Sequence, residues 1–164
     1  SKSIDIMREK GVLVVIVYSG GPAEARKATG EFRPSRTHRA DGVRRCLIEG
    51  TPGAEIDERI HIDRQRDILW HKHAPSAFFQ NDLAERLRAF GVENVLVCGV
   101  KTNVCCRATV NDAFSHGFTT FAVSDMLATN TPELNAFFIE DMAKYFATAV
   151  TSDEAFRLLE EGKL

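Results

Sequence analysis

The chain has 164 residues, of which 44% are hydrophobic and 27% charged, with a formal net charge of -2 at pH 7. That length suits one domain, here 1–164, and that charge gives no general pull toward nucleic acid or a membrane surface. No apolar run approaches the length of a membrane span, the N-terminus has no signal-peptide pattern, and Cys46, Cys98, Cys105 and Cys106 show neither paired metal spacing nor the density of a secreted framework. The expectation is a cytoplasmic protein with reduced thiols, without repeats or low-complexity segments.

In chain order, residues 1–10 read as the end of a helix with Ile4 and Met7 inward and Gly11 as its cap. Val12 to Tyr18 is apolar on both faces, which predicts a central, parallel strand. Residues 19–67 are long and irregular. Between Arg26 and Arg45 they carry seven Arg/Lys against two acids, Glu31 and Asp41. Two readings stay open for them: a solvated surface, or a loop whose arginine holds a substrate carboxylate. Gly50 to Ile56 reads as structural. Asp67 to Lys72 is a strand, and a helix follows from about Asn81 to Phe90, capped by Gly91. Val95 to Cys98 is a short buried strand that Gly99 breaks. Thr102 or Asn103 is then placed to cap a helix over Val104–His116, with Val104, Ala108 and the Ala113/Phe114 pair inward and Gly117 as a left-handed terminus. Phe118 to Ser124 is a further strand, ending in Asp125. Thr131-Pro-Glu opens a helix with Leu134, Phe137, Phe138, Met142 and Tyr145/Phe146 inward. Ala147–Thr151 and Ser152–Glu161 are the last strand and helix, closed by Gly162. This alternation predicts an α/β fold: a Rossmann-like three-layer α/β/α sandwich with a mainly parallel sheet. Sites in such sheets lie beyond the carboxyl ends of strands, where Lys72, Gly99 to Cys105 and Asp125 fall.

Cys105 is the residue with the clearest chemical potential. It falls in the first turn of a helix, where unpaired N–H groups and the positive end of the macrodipole favour thiolate over thiol. The same N–H groups suit an oxyanion. Position by itself leaves open the plainer reading of a small buried side chain.

The run Gly99-Val-Lys-Thr-Asn-Val-Cys105, continued by Arg-Ala-Thr-Val-Asn-Asp-Ala and Gly117-Phe, resembles the signature of the isochorismatase-like cysteine hydrolases. That superfamily includes nicotinamidase, N-carbamoylsarcosine amidase, biuret hydrolase and ureidoacrylate amidohydrolase, and the likeness extends over nearly all of the chain from Ile4. The resemblance implies that Cys105, not Cys106, is the nucleophile. It implies a cis peptide at Val100–Lys101 and an oxyanion hole from the N–H groups of Lys101 and Cys105. A second motif, Lys72-x-x-x-Ser76-x-Phe78, resembles another signature of the family and implies that Lys72 is the catalytic cation, although by itself it reads as an ordinary lysine at a strand end. The lysine at 101 departs from the small or apolar residue common there. Phe78, Asn103 and Asp125 are the candidate pocket residues, although two phenylalanines at a helix start also suit a core and Asp125 reads as a buried hydrogen-bonding post.

Relatives carry a strand ahead of the first helix, ending in a general-base aspartate, and Asp5 inside a helix cannot replace it. The expectation is that this strand lies between Val12–Tyr18 and Val95–Cys98, supplied by a preceding segment, another chain or a rearranged sheet. Nicotinamidases bind a metal through Asp-x-His and a further histidine, where this chain reads Tyr18-Ser-Gly-Gly-Pro. His38, His61, His71, His73 and His116 have no zinc-like spacing, so no metal and no cofactor are expected. The function implied is a metal-independent amidohydrolase acting on a small amide, carbamoyl or ureide substrate through a thioester. The alternative is an impaired binding or scaffold domain without its base. Partners are expected to be a small-molecule substrate and further copies of the chain in a homo-oligomer, with no nucleic acid and no membrane.

Overall fold

The computed structural model describes residues 2–20, 50–72 and 74–164. The arginine-rich run between Arg26 and Arg45, together with Cys46, His38 and His73, lies outside the described residues. Two units, Ser1–His73 and Ala74–Leu164, are taken in turn.

In the first unit, helix α1 (Lys2–Glu9) precedes strand β1 (Val15–Ser19), and β2 (Ile68–Lys72) pairs with β1 in parallel, from Val15 opposite Ile68 to Ser19 opposite Lys72. Gly11 ends α1 as expected, its N–H bonded to Arg8 and that of Val12 to Met7. Among the described residues β1 has a strand on one side only, and Val17 is 38% exposed.

The unit is held by a charge cluster the apolar pattern does not announce. Arg8 is 6% exposed and the Asp67 side chain 0%. The guanidinium donates to both Asp67 oxygens, at 2.8 and 2.5 Å, and to Asp5 and the His61 carbonyl, each at 2.6 Å. A further bond reaches Asp67 from the Asp63 N–H at 2.9 Å, and Arg66 donates to the Arg8 carbonyl. These bonds tie α1 to the residue that opens β2. The Arg8 bond holds the Asp67 carboxyl below the usual carboxylate range, ahead of the opposing effect of burial.

The second unit runs α2 (Leu83–Ala89), β3 (Asn94–Val100), a π-helical turn (Thr102–Cys106), α3 (Arg107–Ser115), β4 (Thr119–Ala128), α4 (Pro132–Tyr145), β5 (Thr148–Val150) and α5 (Ser152–Glu160). Its sheet is parallel in the order β3-β4-β5. The fold is therefore mixed α/β with parallel sheets, as the alternation of elements predicts. No strand but β4 borders β3 among the described residues. The core is Val97, Cys106, Val110, Ala122, Leu127 and Met142, with Val95, Ile139, Phe146 and Ala147 packed around it.

Several expectations change. The single helix Val104–His116 is instead a π turn followed by α3, and neither Thr102 nor Asn103 caps it through its side chain. The wider turn rotates the succeeding residues, so Cys106, Val110 and Ala113 point into the core while Phe114 is half exposed. In α4, Phe137 lies about 140° around the helix from Met142, and is 60% exposed instead of inward. Tyr145, in the last turn, is exposed too, with the Lys144 ammonium 5.4 Å from its ring. The helix ends, by contrast, obey their local signals. Thr131 accepts the Leu134 N–H, Thr151 and Glu154 form a capping box, and Gly117, at φ +85°, closes α3 with bonds from Gly117 to Phe114 and from Phe118 to Ala113.

Candidate active site

The site grows from the carboxyl end of β3. Opposite Val97 the β4 partner is Ala122, but opposite Gly99 it is Leu127, so β4 makes an excursion through Val123–Met126 before rejoining β3. Gly99 sits at φ +113°, a conformation that only glycine adopts without strain, and the Val100–Lys101 peptide is cis. The chain then turns tightly: the Lys101 carbonyl accepts the N–H groups of both Val104 and Cys106, each at 3.1 Å.

Successive residues of this turn are fastened to the segment after β4. The Lys101 ammonium donates to Asn130 at 2.6 Å. Thr102, 0% exposed, donates to the Asn135 side-chain oxygen at 2.5 Å, and Asn135 donates in turn to the Leu127 carbonyl at 3.1 Å. Thr129 donates to the Asn103 oxygen at 2.6 Å. Thr102 and Asn103 thus spend their polar atoms on tertiary bonds, which is why they do not cap the helix. The Thr102–Asn135 bond matters most, because the fully buried Thr102 hydroxyl left unpaired costs about 1–3 kcal/mol.

Cys105 is half-buried in this turn, whereas Cys106 is 4% exposed and points into the core with its Sγ 4.0 Å from the Cys98 carbonyl. Adjacent thiols therefore have unlike surroundings. Cys98, on β3, is exposed. Behind Cys105, the Thr109 hydroxyl donates to the Cys105 carbonyl at 2.8 Å and accepts the Ala77 N–H at 3.1 Å.

The structure thus brings together Val100, Lys101, Asn103 and Cys105. Phe78 and Asp125, the other candidate pocket residues, make their described contacts elsewhere, with Phe118 and with Ser152. Phe78 is a core side chain, its ring 6.0 Å from that of Phe118 and 5.5 Å from that of His116. Asp125 is exposed, not buried. Its carboxylate accepts the Ser152 N–H at 2.8 Å and the Ser152 hydroxyl at 2.6 Å at the start of α5, and these bonds lower its pKa. Its excursion from β4 carries it to the next helix N-terminus, where a carboxylate is favoured. Asp125 is a hydrogen-bonding post, as expected, but a solvated one.

Lys72 closes β2 in the first unit, half-buried and in register with Ser19. The ring of its neighbour His71 lies 5.1 Å from that of Tyr18, tilted by 44°, and its Nε2 lies 2.8 Å from the Gly20 carbonyl. His61 is exposed beside Asp5. Among the described residues no group of three or more His, Cys, Asp or Glu is arranged to hold a metal ion, and no helix is long and apolar enough to cross a membrane. Sequence reasoning missed Thr109, Thr129, Asn130 and Asn135. Their partners lie 4, 26, 29 and 33 residues away, and only the local one, Thr109 to Cys105, had a spacing that could have been read.

Parallel strands alternating with helices define an α/β protein, with Cys105 in the turn beyond the carboxyl end of β3. The chain belongs to the isochorismatase family: residues 1–154 match its isochorismatase domain. It is 36% identical over 114 residues to nicotinamidase 3 of Arabidopsis thaliana, covering 69% of this chain and 58% of that protein. It is 29% identical over 154 residues to a ureidoacrylate amidohydrolase of Agrobacterium fabrum, covering 88% of this chain and 65% of that one. The chain thus spans less than two thirds of the length of either relative. Among solved structures, a cysteine hydrolase from Pseudomonas syringae pv. phaseolicola superposes with a TM-score of 0.83 at 25% identity, over 98% of this chain and 78% of that one.

Proposed function

We propose that this protein is a cysteine-dependent, metal-independent amidohydrolase that cleaves a C–N bond of a small amide, carbamoyl or ureide compound. The observation that carries the reading is the half-buried Cys105 in the turn beyond β3, beside a Cys106 committed to the core. The Cys105 thiolate attacks the substrate carbonyl carbon, and the oxyanion is received by the N–H groups of Lys101 and Cys105. One such donor is worth about 10²–10³ in rate. Collapse expels ammonia or an amine with a proton, and water then hydrolyses the thioester to release the acid and restore the thiol. Lys72, carried by the second motif, is assigned the cation that favours thiolate.

Support for the reaction class comes from the relatives, since nicotinamidase and ureidoacrylate amidohydrolase both name the hydrolysis of an amide-type bond. Metal independence rests on the sequence at the end of β1, where Tyr18-Ser-Gly-Gly-Pro offers no acid or imidazole. The test is a panel of small amides, N-carbamoyl compounds and ureides assayed for ammonia release with the parent and Cys105→Ala. Release by the parent and none by the variant is expected. Equal release by both refutes the nucleophile, and a parent that binds panel compounds without hydrolysing any favours the scaffold alternative.

A further inference from the structure

We propose that Thr109 is a positioning residue for the nucleophile, a role resting on the reading of Cys105 given above. A helical threonine that bonds back to the carbonyl four residues earlier is ordinary, and by itself that bond has no functional meaning. Thr109 does more. Its one hydroxyl proton goes to the Cys105 carbonyl at 2.8 Å, and its oxygen takes the Ala77 N–H at 3.1 Å. Ala77 is almost wholly buried, as are Ser76 and Phe78 on either side of it. The hydroxyl therefore pins the peptide plane that leaves Cys105 to a rigid neighbouring segment.

The pin acts where the helix is least regular. Cys105 stands in the π turn, and α3 does not begin until Arg107. Regular i to i−4 bonding is not established at the position whose orientation sets where Sγ points. Ahead of Cys105 the turn is fastened through Lys101, Thr102 and Asn103. Behind it, Thr109 supplies the link to the Ser76–Phe78 segment of the second motif. A small displacement of a reacting atom is expensive, costing up to about 10²-fold in rate for about 1 Å.

The experiment uses iodoacetamide as the probe and peptide mass spectrometry to follow Cys105, Cys98 and Cys106 separately across pH in the intact protein. Thr109→Val keeps the shape and removes both bonds; Thr109→Ala is a second variant with high helix propensity should valine disturb packing; Thr109→Ser restores the hydroxyl. The expected result is Cys105 alkylation slowed about ten-fold or more at neutral pH, with its pH profile displaced, in the valine and alanine variants, because a thiolate moved from the N–H groups of the turn loses their support. Cys98 labelling stays at the parental rate, and serine recovers the parental profile. Valine and alanine profiles that superimpose on the parent overturn the role of Thr109, as does a defect that serine does not rescue. If parental Cys105 reacts no faster than Cys98, the nucleophile reading itself has failed, and Thr109's role falls with it.

Discussion

Removing the Asp67 carboxylate should cost the first unit a large share of its stability. In Asp67→Ala, the Arg8 guanidinium, 6% exposed, loses both bonds to its fully buried partner. It keeps Asp5 and the His61 carbonyl, of which Asp5 is itself 40% exposed. The Asp63 N–H also loses its acceptor. Breaking a buried pair from one side costs about 3–5 kcal/mol, against roughly 5–15 kcal/mol for a whole domain. The assay is urea unfolding followed by the fluorescence of Trp70, the one tryptophan, which lies in β2 three residues after Asp67. The midpoint should fall at unchanged slope. The pH dependence has a definite sign. The Asp67 pKa is lowered in the folded state, chiefly by the Arg8 bond, so its contribution is complete above the ordinary carboxylate value of about 3.9 and is lost as pH falls through the lowered folded value. The parent should lose stability on that acid limb, and Asp67→Ala should lack that part of the slope. Replacing both partners by apolar residues, Arg8→Met with Asp67→Leu, should recover much of the loss, because no buried charge is left unpaired. A single-variant loss below about 1 kcal/mol, or identical acid limbs, would refute this account of the cluster.

Met142→Ala, at a fully buried position in the core of the second unit, should cost about 2–5 kcal/mol in chemical unfolding, and a near-neutral result would mean that the core closes over the cavity. Asn135→Leu should destabilise by about 1–3 kcal/mol, since the buried Thr102 hydroxyl and the Leu127 carbonyl both lose a partner; unchanged melting would show that they find others. Lys72→Ala should slow iodoacetamide alkylation of Cys105 at pH 7, and a rate equal to the parent's removes Lys72 from the mechanism. In the parent, Cys105 should be alkylated before Cys98, an exposed residue whose thiol pKa burial nevertheless pushes up, and before buried Cys106; preferential labelling of Cys98 or Cys106 removes Cys105 as the reactive thiol.

The order and type of elements were legible in the chain because each rests on local rules. Runs such as Val12–Tyr18 are apolar enough to make strands, Thr131-Pro132 and Thr151 carry helix starts, and Gly11, Gly91, Gly117 and Gly162 stand where helices end in left-handed turns. The candidate turn was legible as well, through a motif that places Cys105 six residues after Gly99. What the sequence could not supply was the use each polar side chain makes of distant partners. Nothing near Arg8 names Asp67, 59 residues on, and nothing near Thr102 names Asn135. Asp125 looked like part of a pocket because it ends a strand, and tertiary structure sends it to Ser152. The π turn has the same origin. A regular helix would leave the N–H groups of its first turn to local caps, but Thr102 and Asn103 bond to Asn135 and Thr129, and the turn is π-helical, with Cys106 packed in the core and Cys105 half-buried. Local preferences are set by a residue and its near neighbours in the chain. The pairing of buried polar groups is decided by which neighbours the packed chain brings within reach, and only the tertiary structure contains that information.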